Sequence, residues 1–303
     1  MPAWARGIGI GVLALGAVAA VVEVAAAVRV NRLRAERLYL GDLLYTEVLG
    51  GGAPVVFLAG LPATTRFWQG AFDPLAATRR LLFVDNLGFG RSPLPDVEYT
   101  LDDHLGALRR TLVARGATGR VTFVAHSFGT LLAAHYAARY PGEITRLILL
   151  GAPVFNGERE AREHIRQTSA MAGAFTLNPI LAREACKLHE ATLSPTVALL
   201  VPLFMPDVPA VLAREGLLHT WQSFDGTLRN VVLTKPIAVP LRAGEGIGGK
   251  VTFVHGRADH ISSVERVKAL AAEVGAQVLV TADDHHSYPT RSAAQIIAAV
   301  ELR

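Results

Sequence analysis

The stretch Val121-Thr-Phe-Val-Ala-His-Ser127-Phe-Gly-Thr-Leu-Leu-Ala-Ala134 runs from β-branched and aromatic residues, through a small-x-Ser-x-small turn, straight into an Ala/Leu-rich helical pattern. This junction predicts a strand over Val121 to Ala125 and a helix over Phe128 to Tyr140, with Ser127 at the sharp turn between them. A residue at such an elbow takes a strained backbone conformation that lifts its side chain above the sheet. Ala125 and Gly129 are small enough to let strand and helix approach each other. Ser127 is therefore the candidate nucleophile.

Outward from this point, short β-branched runs alternate with helical stretches from Tyr39 onward, the pattern of a mostly parallel sheet covered by helices on both faces. Strands are expected at Leu43 to Val48, Val55 to Ala59, Leu81 to Asp85, Val121 to Ala125, Leu147 to Leu150, Val251 to His255 and Gln277 to Thr281. Helices are expected at Leu101 to Arg115, Phe128 to Tyr140, Ser263 to Val274 and Ala293 to Val300. From Val154 to about Pro240 the alternation gives way to a helical, proline-punctuated region, and it resumes with Val251. The chain thus reads as an α/β domain over residues 39–303 with a helical cap insertion at about 154–240, preceded by a separate segment, 1–38.

That segment is apolar from Gly7 to Val28, long enough to cross a bilayer and interrupted only by Glu23. Its ten Val, Ile and Leu residues favour insertion, and Glu23 lies near one end, where its cost falls. Arg29, Arg32, Arg34 and Arg37 against Glu36 contribute +3 of the chain's net charge of +4. The excess charge is therefore a membrane-surface flank and not a nucleic-acid face, since no basic stripe interleaved with aromatics appears elsewhere. Read as an anchor over residues 7–28, the segment places its arginines after the span, which predicts a cytoplasmic C-terminal domain. Read as a signal peptide cleaved near Ala25-Ala26-Ala27, it predicts a secreted one. An N-terminal helix packed on the domain is the third reading.

Several motifs, in order, carry a resemblance to the α/β-hydrolase fold family that covers the chain from about residue 40 to the end. Val55-Val-Phe-Leu-Ala-Gly-Leu-Pro62, followed by Trp68, resembles the family's His-Gly-x-Pro oxyanion loop, with Ala59 in place of the His. Asp85-Asn-Leu-Gly-Phe-Gly-Arg-Ser92 is similar to its Asp-x-x-Gly-x-Gly-x-Ser turn. His255-Gly-Arg-Ala-Asp259 resembles the segment that supplies the acid, and His285-His-Ser-Tyr-Pro289 the closing histidine loop. The chain order Ser, Asp, His is the one this fold uses. The resemblance also implies that dehalogenase-like and epoxide-hydrolase-like members carry an aspartate at the elbow, so serine points to the esterase and lipase-like branch.

The chemistry follows from the nucleophile. A serine hydroxyl is too weak an acid to attack at neutral pH, so a histidine must take its proton and a carboxylate must hold that histidine in the right tautomer. Ser127, Asp259 and His286 are the expected triad, with His285 as the alternate. His286 is preferred because related hydrolases carry His-x-x-Pro here and Pro289 follows it by three. Asp259 is preferred over Asp283 and Asp284, which lie too near the histidines in sequence, and the position after Leu150 carries no aspartate. The resemblance implies oxyanion donation by the backbone amides of Leu61 and Phe128. His126 is expected to line the elbow.

No cofactor or metal is expected: His104, His135, His164, His189, His219 and the lone Cys186 lack ligand spacing, and Gly88-Phe-Gly-Arg-Ser92 has no Walker lysine. The expected partner is a small-molecule ester, made lipophilic by the apolar content of the cap: Phe175, Leu177, Ile180, Val197, Leu199, Leu200, Leu203, Phe204 and Met205. The same triad serves carbon-carbon bond hydrolases, which would need a basic cap residue such as Arg183 or Arg214 near the site, and acyltransferases or perhydrolases. A non-catalytic binding scaffold is the reading outside enzymes.

Overall fold

The computed structural model describes residues 35–68, 70–168, 177–192, 216–244 and 246–302, with Val21, Val24, Val28 and Arg32 of the preceding stretch. The expected span at 7–28 lies outside this set apart from those three valines, as do Phe175, Val197, Leu199, Leu200, Leu203, Phe204, Met205 and Arg214 of the expected cap lining. Among the described residues no helix is long and apolar enough to cross a membrane.

The β-rich runs form strands β1 (Thr46–Gly50), β2 (Ala53–Leu58), β3 (Arg79–Val84), β4 (Val121–His126), β5 (Ile144–Leu150), β6 (Val251–Gly256) and β7 (Gln277–Thr281). They make one sheet in the order β1-β3-β2-β4-β5-β6-β7. β1 runs antiparallel to β3, and the other pairings are parallel. β1 begins later than the expected Leu43 because other partners hold the residues before it: the Leu44 N–H bonds Thr111 Oγ1 and the Tyr45 N–H bonds Ser92 Oγ.

The strands are apolar at nearly every position because both faces of the sheet are covered. Alternate residues fall into two separate cores, as a period of two requires. Val56, Leu58, Leu82, Phe123, Leu147 and Phe253 pack into one; Val55, Phe57, Leu81, Val124, Ile148 and Val254 pack into the other. The first core is roofed by helices α1 (Leu101–Ala114), α2 (Phe128–Arg139) and, farther along, Val264–Val274. The second is covered by Phe67, Trp68, Phe72 and the C-terminal helix Ala293–Glu301. Helix starts follow local chemistry: Thr100 and Asp103 close a capping box on α1, and Ser263 accepts the Arg266 N–H to cap the helix from Val264. The neighbouring Ser262 accepts the Val154 N–H.

Between β5 and β6 lie α3 (Glu158–Thr168), α4 (Pro179–Thr192), α5 (Trp221–Thr227) and α6 (Ala238–Ala243). Val231, Ile237, Ala238 and Leu241 are buried with Leu131 and Leu132, so the chain has rejoined the core before residue 240. Ile180 is 72% exposed on α4, outside any lining, and Arg183 on the same helix is exposed. Phe155, Ala161, Leu228 and Leu233 form a further apolar cluster, against which Leu61, Ile165, Phe224 and Ile261 pack.

Candidate active site

The C-terminal ends of β2, β4, β6 and β7 converge at one edge of the sheet, where open parallel sheets present their ligands. At the end of β4, Ser127 has φ 49° and ψ −119°, a conformation L-residues rarely adopt and one that costs on the order of 1–3 kcal/mol. Ser127 N–H donates to Leu150 O across to β5, and α2 begins immediately after it. The helix can start this close to β2 because residue 129 is glycine: a Cβ there would stand 2.4 Å from Leu58 O.

His285 meets this serine. Its Nε2 lies 3.0 Å from Ser127 Oγ, and its Nδ1 lies 3.0 and 3.1 Å from the two carboxylate oxygens of Asp259. The carboxylate can only accept there, so Nδ1 carries the proton and Nε2 is free to receive the serine's. Asp259 is buried, which by itself would raise its pKa. The hydrogen bonds and charge of His285, with bonds from Tyr288 Oη and the Ile261 N–H, outweigh burial and hold it well below the usual carboxylate range. Gly151, just past β5, makes room for this pair: a Cβ at its φ of 53° would lie 2.6 Å from Asp259 Oδ2 and 3.1 Å from His285 Nδ1.

The preference for His286 is therefore corrected to its neighbour. His286 packs edge-on against the His285 ring, its N–H bonds Asp284 Oδ1, and burial pushes its imidazole down to about 4. The reason lies in the turn after β7. Buried Asp283 accepts from Ser287 Oγ and Ser292 Oγ, Asp284 N–H donates to Ser287 Oγ, and Tyr288 Oη donates to Asp259. Those ties turn residue 285 to the sheet edge; counting back from Pro289 ignores them.

On the other side of Ser127 runs the loop after β2. A Cβ on Gly60 would come within 2.9 Å of Ser127 Cβ, so the chain at Gly60-Leu61 passes directly over Ser127. Phe128 is the first residue of α2, where N–H groups have no intrahelical acceptor. The loop is braced from below by Asp85, whose carboxylate accepts from the Thr65 and Arg91 N–H groups, and by Asn86, whose amide donates to Ala59 O. On the far side of the acid loop a cleft of about 1340 Å³ is lined by Phe155, Glu160, His164, Asp259, His260 and Arg266. Among the described residues no group of three or more His, Cys, Asp or Glu could hold a metal ion.

The model of the alpha/beta hydrolase fold family matches residues 53–288. The chain belongs to the alpha/beta hydrolase fold family. It is 34% identical over 155 residues to the probable lysophospholipase BODYGUARD 3 of Arabidopsis thaliana, covering 48% of this chain and 31% of that one. It is 35% identical over 117 residues to a haloalkane dehalogenase of Agrobacterium fabrum, covering 38% of this chain and 37% of that one. The matched stretch thus spans only about a third of the length of these curated relatives. Among solved structures, E-2-(acetamidomethylene)succinate hydrolase superposes with a TM-score of 0.63 at 19% identity, covering 86% of this chain and 95% of that one. An esterase from Rhodococcus sp. ECU1013 superposes with a TM-score of 0.63 at 22% identity, covering 85% and 92%.

Within the family frame, His126 stands against the loop that carries Ala59 in place of the family's histidine. Its Nε2–H donates to His285 O at 2.8 Å, its ring stacks on Phe67 at 4.4 Å, and its Nδ1 faces Gly60. Burial, reinforced by His285 and His286, drives its pKa well below the ordinary value, so it stays neutral. One side chain thereby touches both the oxyanion-type loop and the histidine loop. The sequence places His126 at the elbow without revealing these bonds, and it assigns no role to Gly151 or Tyr288. A glycine directly after a strand and a tyrosine inside the closing loop were the available signals; neither has meaning until β5, β6 and β7 are side by side.

Proposed function

We propose that this alpha/beta hydrolase cleaves a carboxylic ester with Ser127 as nucleophile, His285 as general base and then acid, and Asp259 as the residue that orients His285. The observation carrying this is the continuous hydrogen-bonded line from Ser127 Oγ through His285 to Asp259, 3.0 Å at each link. Ser127 attacks the carbonyl carbon as its proton passes to His285 Nε2; that proton then goes to the leaving alcohol. Water, deprotonated by the same nitrogen, releases the acid and restores the serine. The amides of Leu61 and Phe128 are the proposed oxyanion donors, a role worth about 3–4 kcal/mol per donor in the transition state.

A lipophilic acyl group is the proposed substrate feature. The cluster around Phe155 and Leu228 adjoins Leu61 of the loop after β2 and Ile261 of the acid loop, so apolar side chains lie beside both the loop that passes over Ser127 and the loop that carries Asp259. The kinship with a probable lysophospholipase and the likeness to esterases support the same direction. Serine at the elbow separates this chain from the haloalkane dehalogenases it is similar to. We further propose that residues 1–38 are an anchor and basic flank, with residues 39–303 as a cytoplasmic catalytic domain carrying the cap; digestion of that domain by protease added outside intact cells would overturn this.

The test is covalent labelling of Ser127 by a fluorophosphonate, located by peptide mass mapping with Ser127→Ala as control, followed by a p-nitrophenyl ester series of increasing acyl length. Labelling confined to Ser127 and a kcat/KM that rises beyond two carbons are expected. No adduct on folded protein would overturn the hydrolase reading, and a fall beyond two carbons the lipophilic one.

A further inference from the structure

Tyr288 is a buried polar side chain that the proposed reaction does not itself use. It is fully buried, at the start of the short helix Tyr288–Arg291, and its hydroxyl has a partner on each side. The Gly256 N–H, at the end of β6, donates to Tyr288 Oη at 3.0 Å, and Tyr288 Oη donates to Asp259 Oδ2 at 2.7 Å. The carboxylate cannot donate and the backbone N–H cannot accept, so the direction of both bonds is unambiguous. His285 Nδ1 reaches the same Oδ2 at 3.0 Å, while the Ile261 N–H holds Oδ1 at 2.9 Å. The tyrosine ring also abuts Gly151, where a Cβ would lie 3.0 Å from Cε2, and its centroid is 5.8 Å from that of His126.

We infer that Tyr288 is a positioning residue: its hydroxyl clamps the Asp259 carboxylate against His285 Nδ1 and so sets the basicity of the pair. This rests on the serine-hydrolase reading above. The geometry supplies the argument. A carboxylate bonded only to the imidazole could swing about its own Cβ–Cγ bond, whereas one held by Ile261 on Oδ1 and by Tyr288 on Oδ2 cannot turn without breaking a bond. A short, buried O–H···O⁻ bond is also among the stronger kinds, and it draws charge from the oxygen that faces the imidazole. Burial first, and the Asp259 charge second, push the phenol pKa up, so the hydroxyl is a donor at every pH the enzyme meets. Tyr288 therefore does not exchange a proton in the reaction; it acts through Asp259.

The experiment measures the second-order rate of fluorophosphonate labelling of Ser127 as a function of pH in the full chain, which requires no knowledge of the natural ester. In Tyr288→Phe, which keeps the ring, labelling at the pH optimum should fall about tenfold, as expected when a general base is held less well. The acid limb should also move up by about half a pH unit, because a carboxylate relieved of a donor retains a proton on its imidazole more tightly. 3-Fluorotyrosine placed at 288 keeps shape and fold but donates more strongly, and should move the limb down. In an Asp259→Asn background the Tyr288→Phe change should cost less than twofold. Unmoved acid limbs in both variants, or the same tenfold loss without Asp259, would overturn the inference and leave Tyr288 as packing. If Tyr288→Phe does not fold, the fluorotyrosine shift decides alone. Absence of labelling in the wild type would instead overturn the serine-hydrolase reading.

Discussion

The elbow at Ser127 and the loop carrying His285 sit 3.0 Å apart yet are held by different means. Ser127 is fixed by its own main chain: an uncommon φ and ψ, a backbone bond to Leu150, and a helix starting at the next residue. The loop from Thr281 to Ser292 is fixed by side chains, with Asp283, Asp284, Ser287 and Tyr288 bonding one another and Asp259. The first is a strained backbone. The second has ordinary backbone and depends on each polar contact. A nucleophile must be pushed out of the sheet against steric preference, which only backbone geometry can do, whereas a general base must be aimed, which takes hydrogen bonds.

That contrast can be broken in several places. The largest expected effect is at the aimed residue: His285→Ala should lower kcat/KM on an ester substrate by 10⁴-fold or more, as removal of a triad histidine does. Activity within tenfold of wild type would show that another base serves Ser127. Gly151→Ala pushes a Cβ against Asp259 Oδ2 without touching the elbow, so kcat should fall about 100-fold, the scale of a 1 Å misplacement, with the fluorophosphonate adduct still confined to Ser127.

A third effect lies in the support beneath the site. His104, buried and bonded to Thr227 Oγ1, has its pKa pushed down to about 4 by burial. The unfolded chain binds a proton at this residue below about 6.5, whereas the fold refuses it until about 4, so stability is full above pH 6.5 and is lost as pH falls toward 4. The loss reaches up to about 3 kcal/mol from this residue alone. Urea unfolding at pH 7.5 and 4.5 should show a smaller difference for His104→Gln than for wild type; equal differences would remove His104 from the acid response. Ser127→Gly releases the strained backbone, so the inactive variant should unfold with about 1 kcal/mol more stability than wild type, measured at pH 7.5. A loss of stability there would mean the elbow is not strained. The smallest effect is expected at His286→Ala, within threefold of wild-type kcat/KM, since that ring reaches neither Ser127 nor Asp259 by any hydrogen bond; a 100-fold loss would return the role of base to it.

The fold was legible because its signals are short in range. Each strand of the parallel sheet is a local apolar run, the helix starts at Leu101 and Val264 carry local caps, and the elbow is a local transition; expected and observed bounds differ most at β1, where Thr111 and Ser92 capture the chain from outside the strand, and at β5, which starts at Ile144 instead of Leu147. Ser127 was legible as a candidate for the same reason, and Asp259 through the resemblance of His255-Gly-Arg-Ala-Asp259 to the family's acid segment.

The sequence by itself determined the alternation of strands and helices, the insertion after β5 and the place of Ser127, since these follow from periodicity and from the backbone preferences of neighbouring residues. Only the tertiary structure decided between His285 and His286, put Gly151 against the acid, joined His126 to His285 O and set Tyr288 on Asp259. Adjacent residues in a loop share the same local preferences and differ only in direction. Direction here comes from ties within the turn together with bonds that leave it, to Asp259 and to His126, 26 to 159 positions away, and those long-range bonds no local pattern encodes.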